Sequence, residues 1–232
     1  MTTILLTGSS RGIGAACAET LTATGATVIG HGTASGVAAD LSDPAAPGDL
    51  WTRALAAAGG TIDVLVNNAG VFEANPLDDA DAAWLAGWER TMRINLTAAA
   101  ELCRLAVLHW QQTGRPGRIV NVASRAAYRG DSPAHWHYAA SKAGMVAMTK
   151  TIARGYAAQG ILAFAVCPGF TMTGMAEDYL ASRGGDKLLA DIPLGRVAEP
   201  AEVAEVVCFL ALDAPASMTG AVLDVNGASY VR

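Results

Sequence analysis

The stretch Thr7-Gly8-Ser9-Ser10-Arg11-Gly12-Ile13-Gly14 follows the apolar run Ile4-Leu5-Leu6 and leads directly into Ala15-Ala16-Cys17-Ala18-Glu19-Thr20-Leu21. The apolar run reads as a strand, the residues after Gly14 as a helix, and the glycines between them as a tight turn with close backbone approach. A helix beginning there offers free N–H groups and a positive dipole end to an anion, which is how dinucleotide-binding βα units hold a pyrophosphate. Taken alone, the glycines also suit a connection without a ligand. The strand-then-helix context favours the phosphate-binding reading.

Outward from that turn, short apolar runs alternate with longer stretches of helical periodicity. Strands are expected near 3–7, 27–31, 37–39, 62–67, 118–123, 161–167 and 221–225, and helices near 12–24, 47–58, 79–112, 135–158, 173–183 and 200–212. This is the pattern of repeated βαβ units, so the expected fold is a Rossmann-like, doubly wound α/β sheet of about seven parallel strands with helices on both faces. Only a few residues separate the second and third runs, too few for a crossover helix, so the crossover after the second strand is shortened or the third strand is vestigial.

The chain has 232 residues, 52% of them hydrophobic and 16% charged, which suits strands buried on both faces. No Pro/Gly/Ser-rich linker divides it, and residues 1–232 read as a single dinucleotide-binding and catalytic domain. A net charge of −5 without a basic stripe argues against nucleic-acid binding. Cys17, Cys103, Cys167 and Cys208 are too scattered for a zinc or disulfide framework and read as buried thiols. The chain opens on a strand rather than a basic, apolar leader, and its apolar windows are short. A cytoplasmic protein without a membrane span is expected.

Chemistry concentrates at Tyr138-Ala139-Ala140-Ser141-Lys142. On a helix this spacing stacks phenol and ammonium on one face, where a cation lowers the phenol from its usual value of about 10 toward the working pH. Ser124 closes the run Arg118-Ile119-Val120-Asn121-Val122-Ala123, at the carboxyl end of a strand where open α/β sheets bind ligands. Between Ile29 and Gly36 there is no acid of the kind that receives the ribose hydroxyls of NAD. Arg11 is placed to meet a 2′-phosphate there, with Thr33, Ser35 and His31 as further donors. His135 and His137 flank Trp136 with no third ligand arranged beside them, so no catalytic metal is expected.

Taken together, Thr7-Gly8-x-x-x-Gly12-x-Gly14, Asn67-Asn68-Ala69-Gly70, Asn95, Ser124, Tyr138, Lys142 and Pro168-Gly169 with Thr173 resemble the short-chain dehydrogenase/reductase family over the whole chain. The Ser10-Arg11 pair is similar to that of NADP-dependent 3-oxoacyl-carrier-protein reductases. The resemblance implies Asn95, Ser124, Tyr138 and Lys142 as the catalytic set. Tyr138 is then the proton donor, Ser124 orients the carbonyl, Lys142 also holds the nicotinamide ribose, and Asn95 holds a water that relays protons to Lys142.

It implies a cofactor site built from Gly8, Ser10, Arg11, Gly12, Ile13, Gly14, His31, Thr33, Asp40, Leu41, Asn67, Ala69, Gly70, Tyr138, Lys142, Pro168, Gly169, Thr171 and Thr173. Asp40-Leu41 would flank the adenine. The expected activity is hydride transfer between NADP(H) and a carbonyl or alcohol, with ketone or 3-oxoacyl reduction foremost and NAD(H) as the second cofactor. An oxidative alcohol or sugar dehydrogenase and a non-catalytic dinucleotide sensor stay open.

The step from Ser124 to Tyr138 is about one residue longer than the family pattern. Residues from Phe170 to Gly195, with Met172, Met175, Tyr179 and Leu180, read as a lid over a pocket that Trp136 and Phe170 help to line. The helices over 79–112 and 135–158 would, by the same resemblance, join subunits into a homotetramer or homodimer.

Overall fold

The computed structural model describes residues 1–172 and 189–232. Its strands are β1 (Thr3–Thr7), β2 (Thr27–His31), β3 (Val64–Asn67), β4 (Gly117–Val122), β5 (Ile161–Pro168) and β6 (Val222–Val225). All pair in parallel, in the order β2-β1-β3-β4-β5-β6. The helices are α1 (Gly12–Ala23), α2 (Ala46–Ala57), α3 (Asp81–Met92), α4 (Ala98–Thr113), the single turn α5 (Ala126–Arg129), α6 (Trp136–Tyr156) and α7 (Pro200–Leu212).

Strand periodicity assigns the two faces. Leu5, Leu65, Ile119 and Ala163 point to the face covered by α2, α4 and α6, where Leu50, Leu102 and Trp110 are buried with them. Ile4, Leu6, Val66, Val120 and Phe164 point the other way, onto α1 and α7 through Cys17, Leu21, Val203 and Val207. Each fully buried aliphatic side chain contributes about 1.5–3 kcal/mol, so this two-sided burial is what holds the sheet between its helices. The four cysteines are free and buried within these layers.

The structure corrects the expected strand count. Among the described residues six strands form, because Val37–Ala39 does not join the sheet. Residues 32–36 instead reverse direction, with Val37 N–H on the Gly30 carbonyl at 2.9 Å and a bridge between His31 and Gly36. β2 is thus the sheet edge, and α2 carries the chain directly from β2 across to β3. A second difference lies at the expected long helix over 79–112. It is broken by a π-helical turn at Arg93–Thr97 that separates α3 from α4. The helix expected over 173–183 lies outside the described residues.

β1 sends the chain outward to β2, and the chain then returns past β1 to β3. The strand order therefore reverses between β1 and β3, whose carboxyl ends carry Gly8 and Asn68. Open parallel sheets bind ligands at such a reversal.

Candidate active site

The glycine turn is shaped by contacts that a side chain would destroy. Gly8 and Gly12 have φ of +67° and +53°, in the left-handed region that favours glycine. A Cβ on Gly14 would lie 1.9 Å from the Gly8 carbonyl oxygen and 2.6 Å from Asn68 Nδ2. The first turn of α1 carries no acidic residue, and no side chain caps its N-terminus. Its free N–H groups and positive dipole end therefore remain uncompensated by the protein, as a pyrophosphate site requires. Ile13 packs into the core beneath, while Arg11, Thr33 and Ser35 are exposed at the rim with Ser10.

Asn68, which sequence reasoning passed over, secures this turn. Its Nδ2 donates to the carbonyls of Thr7 and Gly8 at 3.1 and 3.0 Å. In return, Thr7 Oγ1 accepts the N–H groups of Asn68 and Ala69, both at 3.0 Å. β1 and β3 are thereby fastened together at the mouth of the site. The available signal was period two: in a strand ending at Asn67-Asn68, the two side chains must face opposite ways.

Asn67 takes the inward direction. Its Nδ2 donates to Asn121 Oδ1 at 2.9 Å, and Asn121 Nδ2 donates to Thr149 Oγ1 at 2.8 Å, in a buried chain between sheet and α6. Its side chain is thus not brought to the cleft. Leu41 is likewise buried in the core, leaving its backbone as the part that can border a cofactor. Asp40 stays exposed, its Oδ1 accepting the Ser42 N–H at 2.9 Å, which holds its carboxyl below the usual range. His31 is 3% exposed, with both ring nitrogens bonded inward, so it offers no donor to a phosphate. The side chains of Asn67, Leu41 and His31 are thus turned inward, where the resemblance places all three residues at the cofactor site.

On the opposite wall, the carboxyl end of β4 delivers Ser124 and the second turn of α6 delivers Tyr138 and Lys142. The Ser124 hydroxyl accepts the Ala126 N–H at 3.1 Å and faces the Tyr138 phenol. Lys142 is buried, donates from Nζ to the Val122 carbonyl at 2.9 Å, and lies 5.9 Å from the centre of the Tyr138 ring. Burial pushes the phenol up to about 12, against the pull of the Ser124 hydroxyl, and pushes the ammonium down to about 8. This reverses the expected lowering of Tyr138. The ammonium is committed to a backbone carbonyl over the ring face, and desolvation dominates at the phenol.

Asn95 sits in the π turn and is fully buried. It grips Val71 at both ends, Oδ1 accepting its N–H at 2.8 Å and Nδ2 donating to its carbonyl at 2.9 Å. A Cβ on Gly70 would stand 3.3 Å from Asn95 Oδ1 and 3.5 Å from Lys142 Nζ, so both groups converge on that glycine. Its side chain is spent on fixing the loop after β3. A π turn inside a helix often marks a functional position, and sequence periodicity does not register it.

The loop between Ser124 and Tyr138 contains α5 and a turn in which Ser132 N–H bonds Asp131 Oδ1. It delivers His135 rather than Trp136 to the site. The His135 ring stacks on Phe72 at 3.9 Å, the edge of Phe72 meets the Tyr138 ring at 4.8 Å, and Ser132 Oγ holds His135 Nδ1 at 2.6 Å. Trp136 turns outward, 53% exposed, which corrects its expected place in the pocket. Pro168 and Gly169 end β5 against Val225 and Asn226, and Thr171 is buried with its hydroxyl on the Gly169 carbonyl at 3.3 Å. Phe170 lies under the Arg125 guanidinium, 4.8 Å away. Thr173, Met175, Tyr179 and Leu180 lie outside the described residues. Among the described residues, no cluster of His, Cys, Asp and Glu could hold a metal, and no helix is long and apolar enough to cross a membrane.

The chain is similar to known proteins in sequence and in fold. A family model described as enoyl-(acyl carrier protein) reductase matches residues 8–228. The 3-oxoacyl-(acyl-carrier-protein) reductase of Escherichia coli is 36% identical over 245 residues, spanning 98% of this chain and 96% of its own length. The cis-4-hydroxycyclohexanecarboxylate dehydrogenase of Sinomonas cyclohexanicum is 37% identical, spanning 96% and 94%. A crystal structure from Agrobacterium tumefaciens, assigned as a 2-deoxy-D-gluconate 3-dehydrogenase and holding bound NADP, superimposes with a TM-score of 0.88. It is 27% identical and covers 100% of this chain and 97% of its own.

Proposed function

The chain belongs to the short-chain dehydrogenase/reductase family of oxidoreductases, and on that footing we propose that it is an NADPH-dependent reductase converting a ketone, such as a 3-oxoacyl thioester, to the alcohol. The observation that carries the proposal is the placement of the Tyr138 phenol. The phenol stands between the Ser124 hydroxyl and the buried Lys142 ammonium, at the carboxyl edge of a sheet whose reversal point carries an open phosphate cradle.

The residues present fit the dinucleotide. The uncapped start of α1 would receive the pyrophosphate through the backbone N–H groups of Gly12, Ile13 and Gly14, and the close packing of Gly14 on the Gly8 carbonyl holds that turn in shape. Arg11, with Thr33, Ser35 and Ser10, would give a 2′-phosphate charge-assisted hydrogen bonds. Lys142 would hold the nicotinamide ribose beside Tyr138, and Ala69, Gly70, Pro168, Gly169 and Thr171 would border the rest of the dinucleotide. Bound there, NADPH supplies the hydride.

The chain's own part is polarisation and proton delivery. Ser124 donates its hydroxyl to the substrate carbonyl and fixes its direction. Tyr138 then gives its proton to the oxygen as negative charge develops on it, and the Lys142 ammonium stabilises the phenolate that results. Asn95 keeps the loop from Gly70 to Phe72 in place beside Lys142, and Phe72 with His135 forms an apolar, aromatic flank suited to a hydrophobic carbonyl compound.

The same reading makes the enzyme cytoplasmic and a homotetramer or homodimer joined through α4 and α6. An oxidative role is the second reading, favoured by the 37% identity to a dehydrogenase of a cyclic alcohol. A panel of ketones, 3-oxoacyl thioesters and alcohols followed by nicotinamide absorbance separates the two. NADPH consumption with ketones is expected. Turnover confined to alcohols with an oxidised cofactor would reverse the direction, and tight NADPH binding with no turnover on any compound would make the protein a sensor.

A further inference from the structure

His31 occupies the place where this chain lacks a strand and its crossover. The reversal after β2 is closed by Gly32 N–H on the Ser35 carbonyl at 3.0 Å and by Ala39 N–H on the Gly32 carbonyl at 3.2 Å, and it returns the Ala39 carbonyl to the sheet edge. There the His31 ring bridges two segments. Its Nδ1 accepts the Gly8 N–H at 3.3 Å, and its Nε2 donates to the Ala39 carbonyl at 3.1 Å. The His31 carbonyl also accepts the Ser9 N–H at 2.8 Å and the Ser9 hydroxyl at 3.2 Å. An amide N–H can only donate and a carbonyl can only accept, so the ring is fixed as the neutral form with its proton on Nε2.

We propose that His31 is a positioning residue for the cofactor turn: its neutral imidazole holds the Gly8 backbone in the conformation that opens the phosphate cradle, so that dinucleotide affinity depends on its protonation. The inference rests on the NADPH reading above. A second ring proton would place an N–H against the Gly8 N–H, and the turn would lose its anchor to the sheet edge.

The charged groups around the ring do not favour that proton. Burial keeps the imidazole below its usual value, with a smaller contribution from the charge of Arg53 of α2, whose Nη2 donates to the Ala38 carbonyl at 2.6 Å. Asp49 is paired with Arg53. Asp40 turns outward to the Ser42 N–H, and Arg11 is exposed on the far side of the turn. The bridge is therefore intact at neutral pH and is lost on acidification.

The test measures dissociation constants of NADPH and NADH by fluorescence titration for the wild type, His31→Phe and His31→Asn, between about pH 8 and about pH 5. Comparing proteins at each pH cancels the titration of the 2′-phosphate, and NADH removes it. His31→Phe, which leaves the Gly8 N–H unpaired, should weaken both dinucleotides about tenfold or more at the upper pH. His31→Asn retains an acceptor for Gly8 that does not titrate. It should bind within a few-fold of wild type at the upper pH and be spared the wild type's loss at the lower.

Unchanged affinity in His31→Phe, or an acidification curve for His31→Asn that superimposes on the wild type, overturns the inference. Should His31→Phe fail to fold, the His31→Asn curve decides alone. Absence of dinucleotide binding by the wild type would overturn the cofactor reading itself.

Discussion

Lys142 and Tyr138 sit four residues apart on α6, and burial drives their proton affinities apart, the phenol up to about 12 and the ammonium down to about 8. The pH dependence of reduction follows from the signs. Tyr138 holds its proton across the whole neutral range, so the group that titrates first as pH rises is Lys142. Its charge is present below about 8 and lost above. The account expects kcat/KM for ketone reduction to stay level through neutral pH and to fall as pH rises past about 8, with Lys142→Arg moving that fall upward. A profile that climbs with pH would contradict it.

The pairing of Tyr138 with Lys142 and Ser124 was legible in the sequence because residue type and spacing carry it. The direction of the Tyr138 shift was not. It depends on how much water is removed around the ring and on the Val122 carbonyl that captures the ammonium, neither of which is a local property of the sequence. His135 escaped for a related reason: its role comes from stacking on Phe72, which lies far away in the chain.

At the level of elements, the glycine turn is the most legible part, since Gly8, Gly12 and Gly14 declare the required backbone without help from the rest of the fold. Its tolerance to change is correspondingly low. Gly14→Ala places a methyl group 1.9 Å from the Gly8 carbonyl, so the turn must shift. NADPH affinity should drop by about tenfold or more, and stability by about 1–3 kcal/mol, the usual cost of overpacking. Calorimetry and fluorescence titration read both. Wild-type affinity in Gly14→Ala would separate the turn from cofactor binding.

The π turn was illegible, since Ala, Leu and Thr around Asn95 keep helical periodicity across the break. Its consequence is testable. Asn95→Ala removes both bonds to Val71 and should lower stability by about 1–3 kcal/mol while reducing kcat more than it raises the KM for NADPH. A variant with native kcat would leave Asn95 without a part in holding the catalytic loop. The outer strand expected at 37–39 failed for a physical reason that is visible only in three dimensions. The reversal at residues 32–36 bonds back onto Gly30 and Gly32, so the backbone groups that a strand would need are already used.

For the whole molecule, strand order is what turns scattered residues into a site. The reversal between β1 and β3 sets the phosphate cradle beside the Gly70 loop, and β4 and α6 close the other side with Ser124, Tyr138 and Lys142. The alternation of short apolar runs with helices already implied such a sheet, whereas which edge strand was missing required the structure. At this scale the account expects a homotetramer or homodimer by sedimentation. Ala147, exposed on α6, is placed to report it, and Ala147→Glu should shift the protein toward monomer if that face joins subunits.

The central claim, that Tyr138 is the proton donor of a carbonyl reductase, is tested most directly by Tyr138→Phe, with ketone-dependent NADPH oxidation and NADPH binding measured on the same preparation. The predicted result is turnover lowered by about 10²–10⁴-fold, with an unchanged dissociation constant for NADPH. Turnover within a few-fold of wild type would contradict it.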